Sequence, residues 1–194
     1  MSTRADSRPV RERLLDAADA LFYRHGIGRT GVDAVLAEAQ VSTATLYAQF
    51  GGKDGLIAAY LNRRLDRWQH VWEQHIAAAA TPEDRLLAIF DALEQYRNHD
   101  DPARGCAFLA AATEMPHAAP VYDILATDTE QLEGRLRALA AQTETSDPDA
   151  LAAQVRLAYD GALSAFLRPG TSDPVRAARA LAQTAIRAAK PPAA

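Results

Sequence analysis

The chain has 194 residues, 48% hydrophobic and 24% charged, with a net charge of −4, enough to bury a sizeable core in one domain or two. Its single cysteine excludes an internal disulfide, and the opening MSTRADSRPV lacks the apolar core of a secretory leader. No run approaches ~20 consecutive apolar residues, which excludes a transmembrane helix, so a reducing cytoplasm is the expected location. Charge is unevenly spread. Up to Trp68 there are ten Lys/Arg and eight Asp/Glu, a balance of +2 that leaves −6 for the remainder. An acidic whole with a mildly basic amino end suits a protein that touches an anion with one end only.

Richness in Ala, Leu, Arg and Glu, with few β-branched or aromatic residues, predicts an all-α fold. Pro9 is expected at the N1 position of a first helix, along which Leu14, Leu15, Ala18, Leu21 and Phe22 recur at helical spacing until Gly26. A short helix follows from about Val32 to Ala39. Ser42 reads as the N-cap of a third, which runs to about Phe50. From Lys53 an apolar pattern continues unbroken towards Ala80, roughly 40 Å at 1.5 Å per residue. Thr81-Pro82, Asp147-Pro148 and Asp173-Pro174 each pair a capping residue with proline at N1, and so mark three later starts. Between the first two lie a loop across residues 99–105, a short helix from Cys106 to Met115 and a longer one from about Ala119 to Gln142. The total is about nine helices.

Residues 32–50 therefore hold two short helices joined by Gln40-Val41-Ser42, the spacing of a helix-turn-helix. In the second of them Leu46 and Phe50 lie four apart and face inward. Thr43, Ala44, Thr45, Tyr47 and Gln49 are left outward, small or polar at the amino end. Such an end enters a major groove without clash, and its unpaired N–H groups and dipole favour phosphate. Threonine hydrogen-bonds a base edge or sets its methyl against that of thymine, whereas alanine makes only the second contact.

Arg11-Glu12-Arg13-Leu14-Leu15-Asp16-Ala17-Ala18 with Leu21-Phe22, then Val32-Asp33, Val41-Ser42, Leu46-Tyr47, Phe50 and Lys53, resembles the TetR family of regulators. The likeness spans about residues 11–57. It implies an N-terminal helix-turn-helix domain over residues 1–52 and a C-terminal effector-binding and dimerisation domain over 53–194. It also implies a homodimer, double-stranded operator DNA as partner, and a small-molecule effector that releases the protein from a palindromic operator. Tyr47 and Lys53 would touch phosphates, and Ser42, Thr43, Ala44 and Thr45 occupy the DNA-facing positions. Several residues depart from the pattern. Gly31 replaces a capping Thr or Ser, with Thr30 beside it as a substitute and as a further candidate DNA contact, alongside Gln49, to the six just named. Gln40 replaces the turn glycine, where a left-handed residue costs about 1–2 kcal/mol and is expected to remodel the turn. Gln49 replaces a phosphate-reaching histidine, and Gly51-Gly52 replaces a polar pair and is expected to loosen the junction.

The same resemblance implies an effector cavity among the middle helices. Trp68 and Trp72 on the fourth helix, Phe90, Leu93 and Tyr96 on the fifth, Phe108 and Met115 on the sixth, and Tyr122 and Leu125 on the seventh are its candidate lining; a plain core is the alternative for each. Cys106, at the amino end of a helix, is either a small buried hydrophobe or a redox sensor. The five histidines form no i,i+4 pair, so no metal is expected. Nor is a cofactor. No Ser-His-Asp order or phosphate-gripping glycine loop appears, and an enzyme is not expected.

The last two helices carry an excess of apolar residues. Leu151, Val155, Ala158, Tyr159, Ala162, Leu163 and Phe166 make the eighth broadly hydrophobic, and Val175, Ala178, Leu181, Ala182 and Ala185 give the ninth a stripe. A helix apolar over so much of its girth needs cover on two sides, so these residues are the expected two-fold dimer interface. The competing reading is a helical small-molecule-binding or scaffolding protein that does not bind DNA.

Overall fold

In a computed structural model the chain is described over residues 8–99, 105–115, 117–170 and 172–191. Nine helices and no strand occur among these residues: α1 (Val10–His25), α2 (Val32–Ala39), α3 (Thr43–Phe50), α4 (Lys53–Ala78), α5 (Pro82–His99), α6 (Ala107–Glu114), α7 (Ala119–Ala140), α8 (Pro148–Ala165) and α9 (Pro174–Ala189). None is long and apolar enough to cross a membrane. Residues 100–104, most of the expected loop before α6, lie outside the described residues.

The proline signatures place the later starts correctly. Asp147 Oδ1 accepts from the N–H of Ala150 at 3.0 Å and Asp173 Oδ1 from that of Arg176 at 3.1 Å, each followed by proline at N1. Thr81 Oγ1 accepts from the N–H of Asp84 at 3.0 Å, and its hydroxyl donates back to the Asp84 carboxylate at 2.7 Å. At the amino end the register differs by one residue. Pro9 is itself the N-cap, with extended ψ of 141°, and Val10 begins the helix.

The described residues divide into two compact units. The first takes the chain through Arg64 and adds Ala107–Leu125; the second takes Leu65–Cys106 and the chain from Ala126 onward. This division falls within α4, not at residue 52. The amino half of α4 is fastened to α1 by ion pairs that no local pattern announces. Arg64, only 6% exposed, donates to Asp19 at 3.0 Å, and Arg63 donates to Asp16 and to the carbonyl of Leu15, both at 2.7 Å. Phe22 and Tyr60 meet edge to face at 5.4 Å beside them. The core of this unit is Leu14, Leu15, Ala18, Phe22, Val35, Leu46, Leu56, Ile57 and Leu61, all buried. Each fully buried Leu or Ile contributes about 1.5–3 kcal/mol.

In the second unit α9 packs on both α8 and α5. This packing covers most of the residues expected at the dimer interface. Leu151, Val155, Ala158, Tyr159, Ala162 and Leu163 on α8, and Val175, Ala178 and Ala182 on α9, are buried within the single chain. Phe166 and Ala185 are half-buried. The two stripes are already covered, by each other and by α5, so they form the protomer's own core. Of the expected set only Leu181 stands out, at 61% exposure, and Leu157, which was not expected, is 70% exposed on α8. Around them the outward rows are short side chains: Ala153, Gly161 and Ser164 on α8, Ala177, Ala180, Thr184 and Ala188 on α9.

Candidate nucleic-acid interface and ligand cavity

Helix α3 is held by one fully buried side chain, Leu46, and by three contacts at its carboxyl end. The Arg11 guanidinium lies over the Phe50 ring, 5.0 Å from its centroid. Gly51 closes the helix in the left-handed conformation, φ 73°, its N–H donating to the carbonyl of Tyr47 at 2.9 Å. Gly55, in the first turn of α4, leaves no room for a side chain, since a Cβ there would sit 1.9 Å from the Phe50 carbonyl oxygen. Neither Gly55 nor Arg11 was singled out from the sequence as positioning the helix. The junction expected to be loose is thus a close-fitted turn that requires glycine.

At the amino end of α3 Ser42 is the N-cap. Its Oγ accepts from the N–H of Thr45 at 3.3 Å, and the two hydroxyls share a hydrogen bond of 2.8 Å. The preceding turn is not remodelled, because Gln40 itself adopts the left-handed conformation, φ 53° and ψ 50°. Thr43, Ala44 and Gln49 are exposed, Tyr47 is 59% exposed, and Thr45 and Lys53 are half-buried. Thr30 does not belong with them. It is 3% exposed and its hydroxyl donates to the carbonyl of Gly26 at 2.7 Å, so it stabilises the α1–α2 turn and has no free donor for phosphate. Gly31 caps α2 without a side-chain bond. Seven of the eight expected residues therefore lie along the outer side of α3 and its two ends.

The profile of the bacterial regulatory proteins of the tetR family matches residues 14–60, which hold α2, the turn, α3 and the α4 start just described. Over nearly its whole length the chain is also similar to a putative TetR transcriptional regulator from Streptomyces avermitilis, at 31% identity, covering 94% of this chain and 98% of that one, with a TM-score of 0.73. The chain belongs to the TetR family. A TetR-family regulator from Streptomyces coelicolor is similar at 29% identity and TM-score 0.83, covering 94% of this chain and 96% of that one. A second protein of that organism, described as an HTH-type transcriptional repressor, is 35% identical over 119 residues, 59% of this chain and 58% of its own. As a TetR protein the chain is an all-α DNA-binding transcriptional regulator.

The nine residues expected around an effector fall in both units. Phe108, Met115, Tyr122 and Leu125 belong to the first, and Tyr122 is 62% exposed there. Trp68, Trp72, Phe90, Leu93 and Tyr96 belong to the second. Phe90 and Leu93 are core, at 0% and 3% exposure. Tyr96 meets Trp68 edge-on at 5.7 Å, and Trp72 and Tyr159 stack on Trp68 at 5.9 and 5.8 Å. Only Trp68 and Trp72 line a cavity of about 230 Å³, whose other walls are Leu65, Gln69, Asp128, Gln131, Leu132 and Arg135. Cys106 is half-buried one residue before α6, a residue earlier than its expected place at the helix start. It lies close enough to Tyr159 to help burial raise the Tyr159 hydroxyl well above its ordinary pKa. Among the described residues no group of His, Cys, Asp or Glu is arranged to hold a metal ion.

Burial raises Asp128 from 3.8 to about 6, with repulsion from Asp160 adding to it and Arg156 opposing it. The same burial raises Asp160, again against Arg156. Between these two pH values the folded state binds the Asp128 proton and the unfolded state does not, so this residue costs stability progressively as pH rises through 6. Asp128→Asn is expected to remove that cost. Denaturant unfolding at about pH 3.5 and about pH 8 should show the variant gaining on the parent chiefly at the higher pH. An equal difference at both pH values would contradict the assignment.

Proposed function

We propose that this TetR protein is a ligand-controlled repressor: a two-fold homodimer that uses its paired α3 helices to read a palindromic operator and is released by a small-molecule effector. The observation that carries the reading is the division of α3 between one buried anchor, Leu46, and an exposed row of Thr43, Ala44, Tyr47 and Gln49. A rigid helix with small residues at its amino end suits the major groove, while Tyr47 and Lys53 flank it as phosphate contacts. Gln49 adds a donor on the same side. Ser42 is chiefly the cap, and Thr45 presents its methyl while its hydroxyl is engaged with Ser42. Repression follows the similar protein from S. coelicolor described as a repressor. Residues up to Lys53 supply the DNA contacts; the remainder supplies the effector and dimer surfaces.

Release follows from a population shift: the effector favours a form in which the two reading heads no longer match successive major grooves. Helix α4 is the connecting element, since it supplies residues to both units. Within the first unit α6 is tied to the head, because Glu114 at its end accepts from the N–H of Gly28 at 2.5 Å, in the turn between α1 and α2.

Two sets of variants test the contacts. Tyr47→Phe and Lys53→Ala should weaken binding by a similar factor on every sequence, because phosphate contacts position the protein without reading bases. Lys53→Ala should also reduce the slope of log affinity against log salt by about one. An unchanged slope removes Lys53 from the phosphate contacts. Substitution of Thr43 or Thr45 should instead change the preference between operators by roughly 1–3 kcal/mol, read by competition binding. Equal losses on all sequences would move both residues to the backbone-contact class.

A further inference from the structure

The two helices that present the reading surface carry no positive charge. From Val32 to Phe50 the chain has two carboxylates, Asp33 and Glu38, and no Lys or Arg. Duplex DNA carries one negative charge per about 1.7 Å of its axis, so the cations that bind it must come from other elements. Those described in the first unit divide into two groups. Arg8, Arg63 and Arg64 are held by carboxylates of α1: Arg8 and Arg63 by Asp16, Arg63 also by Glu12 at 3.7 Å, and Arg64 by Asp19 at 3.0 Å. Arg11, Arg13, Arg24, Arg29 and Lys53 form no ion pair among the described residues. Arg13 is half-buried, Arg24 is in the last turn of α1, and Arg29 is in the turn before α2. Arg11 is placed against α3 itself, its guanidinium over the Phe50 ring.

We propose that Arg11 is a DNA phosphate contact, so that the amino end of α1 forms part of the operator surface beside the carboxyl end of α3. The proposal rests on the reading of α3 as the helix in the major groove and adds a contact from a separate element. Arg11 stands in the first turn of α1 and is exposed. A guanidinium stacked on a ring engages its face, whereas its N–H donors lie in its plane and stay open to a planar, bidentate acceptor such as phosphate. The stack also holds a long side chain in place before DNA arrives, which reduces the rotamer freedom lost on binding. Phe50 follows Tyr47 by three residues and so adjoins it on the helix surface. The Tyr47 ring lies against the next turn, since a Cβ on Gly52 would sit 3.6 Å from it, and Lys53 opens α4 directly after. Arg11, Tyr47 and Lys53 thus border one end of α3 from three helices. With the amino end of α3 at the base edges, groups around its carboxyl end meet the backbone.

Anisotropy titrations of the full-length protein test this, with a duplex from the DNA upstream of its own gene and a scrambled duplex of equal length, at salt from about 50 to about 200 mM. Arg11→Gln should weaken binding about tenfold on both duplexes and reduce the slope of log affinity against log salt by about one per reading head. Arg11→Leu, which keeps an apolar stem on Phe50, should lose as much. Arg11→Lys, which keeps the charge without the planar fork, should retain the slope. A residue that only held α3 in place would behave otherwise: Arg11→Leu would be tolerated, or the loss would fall on the preferred duplex alone with the slope unchanged. Either outcome overturns the proposal, as does a slope reduction in Arg11→Lys equal to that in Arg11→Gln. Urea midpoints of the three variants should match the parent, and loss of binding that tracks loss of folding in all three would also overturn it. Lys53→Ala separates this contact from the reading beneath it. If the slope falls for Lys53→Ala and not for Arg11→Gln, α3 still docks on DNA and Arg11 does not touch it. If the parent binds neither duplex at the lowest salt, both fall together.

Discussion

Asp19→Ala should cost the first unit about 3 kcal/mol or more, the largest loss expected from any single surface-accessible carboxylate in it. Asp19 accepts from Arg64 at 3.0 Å and lies 3.5 Å from Arg63, and the Arg64 side chain is only 8% exposed. Removing the carboxylate takes the 3.0 Å acceptor from a buried guanidinium that also lies over the Tyr23 and Tyr60 rings, at 5.1 and 5.8 Å. Neither replaces a full negative charge. Because Arg63 and Arg64 tie α4 to α1, and α3 runs directly into α4, operator affinity should fall with stability. Denaturant unfolding measures the first effect. The double variant Asp19→Ala with Arg64→Leu should recover much of the loss, since the uncompensated charge, rather than the missing contact, dominates it. A single-variant loss below about 1 kcal/mol would show that water reaches Arg64 and that the clamp is unimportant.

Introducing Glu at Leu157 and Leu181 together should dissociate the proposed homodimer and abolish tight operator binding, while leaving the protomer folded. Both leucines are well exposed on the single chain, so a charge there costs the monomer little. In a two-fold assembly each lies near its symmetry mate or the mate's helices, and burying four carboxylates is unfavourable by several kcal/mol. Loss of the second reading head removes the avidity of paired half-sites, worth a factor of about 10²–10⁴. Light scattering should show the mass halving, with unchanged helicity. Ala162→Glu or Ala182→Glu would not make this test, because at 2% and 1% exposure these alanines are inside the protomer and the variants would unfold it.

That contrast shows where sequence reading reaches its limit. Periodicity marks a stripe as apolar; it does not say which neighbour covers it. In sequence the stripes of α8 and α9 read as a surface for a second chain, because periodicity shows neither their packing on each other nor the cover from α5, a helix far back in the chain. Features set by a few adjacent residues were legible. The proline-capped starts of α5, α8 and α9, the Ser42 cap and the outward row of α3 all follow from local backbone chemistry. Features set by tertiary approach were not. The fit of Gly55 against Phe50, the burial of Arg64 and the polar walls of the cavity look, in sequence, like ordinary helix residues. Thr30 shows the converse. Its neighbourhood suggested a cap for α2, but the carbonyl left open at Gly26 claims its hydroxyl.

Titration of the protein against the DNA upstream of its own gene, at several salt concentrations and with footprinting, tests the central claim most directly. The account predicts saturable binding far tighter than to scrambled DNA of the same length. A protected pseudo-palindrome is expected, its half-sites about one helical turn, or a multiple of it, apart. Affinity should fall steeply as salt rises. Binding that is equally weak on every sequence, or absent at low salt, would contradict it.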